Sequence, residues 1–429
     1  MPSRIARRVI LANLLVPIAG YVVWDQIETR GLKREIAAIA ARGEPTTVDA
    51  IPPGGETSER QLAARVYAAA EEQVRALPRE ITFRLPRIDV DSLAAPAVNL
   101  EELERTYRHD APALQLLDQA APLDFNGFGD FAPDVADQFL PTLAYLCLVR
   151  ADLLSARDRG DVAASALVPC VRLWRTASIL SRSQISTRLL ASLRILLRHT
   201  QPSAAVLGGL QSALEGLPDG DALGVEIQHR RARFLDEIAA PRATLTDAVA
   251  RRALRPYVTW SNRRQLHTFD EALAIAAQPW PAKLAAGRHI ESRYAEAFRS
   301  MNKGFLARLA PPQGIGFAAL ALVPAARDLA ARRVSVATLA VERYRRANRG
   351  ALPPSLAALV PAFLASVPID PFSGGSLAFK ATNTGYRLYS VDTDLTDDGG
   401  ALYGIGSRVQ LMPQQRAPRD LGIEITGPR

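Results

Sequence analysis

Cysteine is nearly absent. The 429 residues hold two, Cys147 and Cys170, too few for a disulfide-stapled fold or a cysteine-rich zinc module. Histidine is also scarce. His109, His199, His229, His267 and His289 never pair at i, i+4, and none stands beside a cysteine at ligand spacing, which removes the short metal motifs. Lysine is limited to Lys33, Lys283, Lys303 and Lys380, so nearly all of the 52 basic residues are arginine. There is no Gly-x-Ser-x-Gly elbow, no Walker A loop and no Gly-x-Gly-x-x-Gly fingerprint, so the sequence names no catalytic residue. The net charge is +8. Its arginines are interleaved with alanine and leucine, without a dense patch. They read as solvated helix faces, and no nucleic-acid partner is expected.

What is present begins at the N-terminus. Arg4, Arg7 and Arg8 precede an apolar run from Val9 to Trp24, broken only by Asn13 and followed by Asp25 and Glu28. That is the pattern of a short membrane helix with a basic inner flank and an interfacial tryptophan. With no A-x-A cleavage site after it, the expectation is a retained signal anchor. The membrane would be met through residues 9–24. The protein would then be a single-pass protein of a bacterial inner membrane, with its body exported to the periplasm. The remaining chain divides into a stalk helix and linker over 25–58, a helical body over 59–316 and a C-terminal domain over 317–429. Ile81 to Pro96 and Pro122 to Asp134 read as loops.

Within the body the clearest unit is a pair of helices, Phe139 to Ala156 and Val162 to Leu180, joined by Arg157–Asp161. Gly160 suits the end of the first helix, Asp161 the cap of the second, and Pro169 a kink. The pair resembles a tetratricopeptide-like hairpin, although no sustained repeat follows. Cys147 and Cys170 lie equidistant from this turn. In an antiparallel pair they share a height, and in an oxidising compartment a Cys147–Cys170 disulfide is expected. The alternative is two small thiols buried in a helix interface.

The densest signals lie between Val334 and Gly400. Ala337, Ala340, Val341, Tyr344 and Ala347 mark one face of a helix, stopped by Asn348 and Gly350. A short helix follows Pro353-Pro354-Ser355. Leu377–Lys380 and Tyr386–Val391 alternate as strands around an Asn383–Gly385 turn, and Arg408–Leu411 is a candidate third strand. Asp392, Asp394, Asp397 and Asp398 then crowd into one turn. A hard cation such as Ca²⁺ would relieve their repulsion. The spacing is not that of an EF-hand, since Tyr403 falls at the twelfth position counted from Asp392. A solvated Asp-Gly turn is the alternative.

The order Glu342-Arg343-Tyr344, Asn348-Arg349-Gly350, Leu352-Pro353, Val367-Pro368, Asp370-Pro371-Phe372, Gly385-Tyr386, Tyr389-Ser390 and Asp397-Asp398-Gly399-Gly400 resembles the C-terminal part of type II secretion major pseudopilins and related type IV pilin-like proteins. The resemblance implies an α+β domain, and it carries that family's Ca²⁺ loop onto Asp392, Asp394, Asp397 and Asp398. It stops there. The N-terminal run has no pilin-type glutamate at the fifth position of the helix, and most of the chain separates it from the domain, so a filament subunit is not expected. The fold class expected is mainly α, an anchored helical bundle followed by a small α+β domain. The function expected is an envelope interaction or scaffold protein with protein partners, near a secretion or pilus-like machine. The alternative is an envelope enzyme with its site in the helical body.

Overall fold

The structure is a computed structural model that describes residues 4–50, 58–75, 111–120, 133–177, 179–217, 222–240, 249, 251–288, 292, 296, 313–402 and 420–426. They are mainly helical, with one three-stranded antiparallel sheet. The helices are α1 (Arg4–Ala41), α2 (Ser58–Arg75), α3 (Ala111–Ala120), α4 (Pro133–Ala156), α5 (Gly160–Thr176), α6 (Ile179–His199), α7 (Ala204–Glu215), α8 (Ala222–Ala239), α9 (Arg255–Ala276) and α10 (Gln313–Ala347). The strands are β1 (Ala378–Thr382), β2 (Gly385–Ser390) and β3 (Leu421–Thr426). The chain forms two units. Unit 1 holds residues 1–51, 223–278 and 285–320; unit 2 holds 52–222, 279–284 and 321–429. The helical body of 59–316 is thus shared between them. The expected loop at 81–96 and residues 122–132 of the one at 122–134 lie outside the described residues, while 133–134 already belong to α4.

In unit 1, α1 packs on α9. Arg263 of α9 donates to Glu28 (2.7 Å) and to Glu35 (2.9 Å) of α1. Its guanidinium lies directly over Gly31, where any Cβ would collide with it. Arg231 of α8 is fully buried and bridges Asp270 (3.0 Å) and Glu44 (2.6 Å). Phe234 and Phe269 pack ring against ring beside it.

These contacts correct the expected membrane anchor. Val9–Trp24 is only the first part of α1, which runs on unbroken to Ala41. Asp25, Glu28 and Glu35 face the arginines of unit 1 at Arg255 and Arg263. Among the described residues no helix is long and apolar enough to cross a membrane. The single-pass signal anchor, and the inner-membrane localisation built on it, are therefore withdrawn. The apolar run ends in charge before it reaches spanning length.

Unit 2 is built on α4, against which α5 and α6 pack, with α2 and α3 alongside and α7 on α5. Its core is continuous from the helices into the sheet: Leu148, Leu167, Trp174, Leu189, Val341, Leu359, Tyr386, Leu388 and Ile423 belong to one cluster. Each large apolar side chain buried this way contributes about 1.5–3 kcal/mol. Trp174 is 1% exposed, and its indole N–H donates to Asp328 at 2.7 Å.

The turn between α4 and α5 differs from expectation. Asp158, not Gly160, takes the left-handed backbone, with φ 56°. Gly160 opens α5 and is needed for close packing, because a Cβ there would lie 2.9 Å from the Thr200 hydroxyl. Asp161 does not cap its own helix; its carboxylate accepts from the Ser203 N–H at 2.6 Å, at the N-cap of α7.

The expected Cys147–Cys170 disulfide is also corrected. Both thiols are free and buried, and they make no disulfide-capable pair. Equal distance from a turn fixes the height of two residues along a helix pair, not where their side chains point. Burial pushes the Cys147 thiol up to about 12 and Cys170 well above its ordinary value. Both should therefore stay silent toward a thiol reagent in the native protein and react only after denaturation, without prior reduction. A rate already near that of free cysteine in native buffer would contradict this burial.

The C-terminal part of unit 2 pairs α10 with the sheet, in the order β1-β2-β3. β1 and β2 are antiparallel around Asn383-Thr384, with Thr382 opposite Gly385. β2 and β3 are antiparallel, with Leu388 opposite Ile423. The expected third strand at 408–411 lies outside the described residues; the third strand seen is β3. α10 stops where expected. Arg349 and Gly350 both take positive φ, and the Asn348 side chain donates to the Tyr344 carbonyl. Glu342 on α10 is 5% exposed and accepts from Arg345, Arg346 and the Tyr386 hydroxyl, tying the helix to β2.

Candidate functional site

The acidic turn that follows β2 is the candidate site. Its foundation is Asp370, 1% exposed. This carboxylate accepts from the backbone of Phe372 (3.0 Å) and Val391 (3.0 Å) and from the hydroxyls of Ser390 (2.7 Å) and Ser373 (3.2 Å). A carboxylate holding four donors clamps the Asp370-Pro371 turn to the end of β2.

Asp392 comes next and is the first of the four predicted ligands. It is 1% exposed, at φ 53°, and takes a forked hydrogen bond from Arg327 of α10, with Nε–Oδ1 2.9 Å and Nη2–Oδ2 3.0 Å. Asp394 is exposed and accepts from the Thr396 N–H at 3.0 Å. Asp397 accepts from the Tyr389 hydroxyl (2.7 Å), the Gly399 N–H (2.9 Å) and Lys380 Nζ (3.1 Å). Those bonds hold its carboxyl below the ordinary aspartate range, the Tyr389 bond foremost. Burial, with a smaller contribution from Asp397 and against the pull of Lys380, pushes Tyr389 up to about 12. One oxygen of Asp398 is buried without a hydrogen-bond partner. Asp420, at the start of β3, accepts from the Gly400 N–H at 2.8 Å. Burial raises its pKa, and Asp397 and Asp398 add to the rise.

The structure thus places the four aspartates in one turn without gathering them into one oxygen cage. Asp392 is spent on Arg327, Asp397 on Lys380 and Tyr389, and Asp394 on its own backbone. Among the described residues no three His, Cys, Asp or Glu side chains are grouped to hold a metal ion. A Ca²⁺ ion would have to displace a guanidinium and an ammonium already seated, so these residues do not fit it. A chelator should leave the melting temperature unchanged, and millimolar Ca²⁺ should raise it by less than about 1 °C, since an ion that does not bind the native state gives no linkage. A rise of several degrees would put a cation in the turn.

The sequence did not show the parts that neutralise this turn. Arg327 lies on α10, Lys380 on β1 and Tyr389 on β2, while Asp370 and Asp420 lie in the connections beside the sheet. Asp370 and Tyr389 belonged to the motif order, where they were read as a turn residue and a strand residue. What the arrangement leaves outside is Thr393–Asp397, exposed at every residue. Leu395 stands in it at φ 61° with 51% of its surface open.

Two further acids in unit 2 are perturbed. Asp152 on α4 is 3% exposed and pairs with Arg188 of α6 at 2.9 Å. Burial raises it to about 6 against the pull of Arg188. Asp328 on α10 is raised to about 6 by burial, opposed by Arg182 and by the Trp174 and Ser186 hydrogen bonds. Of the histidines, His199 and His229 are held below their ordinary pKa by burial. His267 lies 3.2 Å from Glu35, while His109 and His289 fall outside the described residues.

No known protein family matches the chain, and no match to it occurs among curated proteins or solved structures.

Proposed function

We propose that the protein is a protein-binding scaffold and that the turn Thr393–Asp397 is its docking element. One observation carries this reading. The turn is exposed along its whole length, yet it is anchored at both ends by ion pairs, Asp392 to Arg327 and Asp397 to Lys380. A loop held rigid on a scaffold binds without a large ordering cost. Its chemistry suits a partner with a basic rim and an apolar pocket for Leu395. The pseudopilin-like residue order between Glu342 and Gly400 adds a candidate setting, a secretion or pilus-like machine, by analogy of fold alone. The pairing of α4 with α5, in the sense of a tetratricopeptide-like unit, supplies a second protein-facing surface in the same reading. To test this, the full chain is crosslinked in cells and its partners are compared with those of Leu395→Asp. The substitution should remove the specific partner and leave the melting temperature unchanged. Recovering the same partner with the variant, or none with either chain, would overturn the reading.

A second reading, an enzyme with its site in the helical body, draws on Asp152 and Asp328. Acids titrating near pH 6 suit general acid–base work. Both are engaged by Arg188 and Trp174 inside a packed core, which ranks this reading below the scaffold.

A further inference from the structure

One stretch of unit 2 is only six residues long. Pro279–Leu284 belongs to unit 2, while residues 223–278 before it and 285–320 after it belong to unit 1. Its sequence is Pro-Trp-Pro-Ala-Lys-Leu. So short a stretch cannot build a core of its own; it can only bring side chains to one that already exists. Trp280 and Leu284, four apart, pack against the core of unit 2. Lys283 between them is buried, with its ammonium 5.0 Å from the centre of the Trp280 ring. Ala282 and Ala285 face solvent. Anchors at i, i+3 and i+4 on one side of a helical turn are the pattern of a peptide laid on a receptor. The turn is the segment's own: the backbone N–H of Lys283 donates to the Pro279 carbonyl (3.1 Å) and that of Leu284 to the Pro281 carbonyl (3.0 Å).

The surface beneath is shaped for it. Pro281 rests on Gly374, where a Cβ would stand 2.9 Å from the proline Cδ. Gly374 sits at φ 75°, a backbone that glycine takes at no steric cost. The turn around it is held by bonds that do not involve the segment. The Asp370 N–H donates to the Gly375 carbonyl (2.7 Å), the Gly374 N–H to the Asp370 carbonyl (2.9 Å) and the Gly375 N–H to the Ser373 hydroxyl (3.2 Å), and the Asp370 carboxylate ties the turn to Ser390. A surface fixed before its ligand arrives binds without a large ordering cost.

We propose that unit 2 carries a peptide-binding surface at this glycine turn, filled in cis by Pro279–Leu284, and that it accepts from a partner protein a segment of the same chemistry. That segment has a tryptophan followed by proline, with a lysine and a leucine three and four positions after the tryptophan. Tethered at both ends, the cis segment competes at an effective concentration on the order of millimolar, so a partner binds by displacing it. The tryptophan is the anchor, as buried tryptophans commonly are at interfaces. This surface does not depend on the docking role of Thr393–Asp397.

The test uses the full chain and a fluorescein-labelled synthetic peptide of residues 277–288. Trp280→Ala with Leu284→Ala removes both anchors of the cis segment. That chain should bind the peptide roughly tenfold or more tightly than the parent, read by fluorescence anisotropy. Adding Gly374→Asn, which tolerates the left-handed backbone and puts a side chain under Pro281, should abolish the gain. A peptide with Trp280→Ala should not bind. In the parent, millimolar unlabelled peptide should speed hydrogen exchange at the Lys283 and Leu284 amides as the cis segment is displaced, a readout independent of whether the variant folds. Four results would each overturn the proposal: a variant that melts as the parent does yet binds no peptide, equal peptide affinity for parent and variant, binding that survives Gly374→Asn, or unchanged exchange in the parent.

Discussion

Replacing Arg327 with methionine should destabilise the protein by about 3–5 kcal/mol, the usual cost of leaving a buried charge without its partner. Asp392 is 1% exposed and holds its carboxylate against the Arg327 guanidinium through two short bonds. With the guanidinium gone, the buried carboxylate loses the forked ion pair that offsets its desolvation. The pair itself is not expected to be worth this much. Arg327→Met combined with Asp392→Asn should recover most of the loss, because removing both charges removes the desolvation penalty as well. Chemical denaturation of the four proteins gives the cycle directly. A single substitution costing under about 1 kcal/mol would mean that water reaches Asp392, and the turn would then lose one of its two anchors.

Stability should also rise on mild acidification. Asp152 titrates near 6 in the folded protein, against 3.8 for an ordinary aspartate. Its folded pKa lies above its unfolded one, so the folded state binds the proton more tightly. The resulting stabilisation is complete below about pH 4 and is lost as pH rises through 6. At ~1.4 kcal/mol per pH unit, Asp152 contributes on the order of 3 kcal/mol between those limits. Asp328 acts in the same direction with the same value, but it keeps some accessible surface, so its share is smaller. Urea unfolding at about pH 5 and pH 7.5 should show the more stable protein at the lower pH, and Asp152→Asn should flatten much of that difference. An unchanged slope in the variant would show that Arg188 keeps Asp152 ionised throughout.

Local signals were legible where the residues concerned are neighbours in the chain. The end of α10 at Asn348 and Gly350 and the turn at Asn383-Thr384 follow from residues within a few positions of each other, and both appear as read. The fold class, mainly helical with a small sheet, was legible for the same reason. What failed depends on partners far away in sequence. β3 was not anticipated, because a six-residue strand near a chain end gains its identity from pairing with β2. The four aspartates looked like one acidic cluster because their neutralising partners lie elsewhere, Arg327 on α10 and Lys380 on β1. Val9–Trp24 looked like an anchor because its composition is apolar. Nothing in that run shows that the same helix continues into contacts with Arg263. The cysteines show a third kind of failure, since turn geometry set their height and left their direction open.

The link between α6 and α7 carries a consequence for how unit 2 opens. Only Gln201 and Ser203 are exposed along it. The Thr200 hydroxyl donates to the Leu196 carbonyl, Arg346 of α10 donates to the Pro202 carbonyl at 2.6 Å, and Asp161 of α5 holds the Ser203 amide. A protease must draw several residues of extended chain into its cleft, and here that means releasing α5 and α10 as well. The link is a surface loop by position, but it is as hard to cut as the helices it joins. The amide of Ser203 should exchange its hydrogen in step with the first turn of α5, as one cooperative unit.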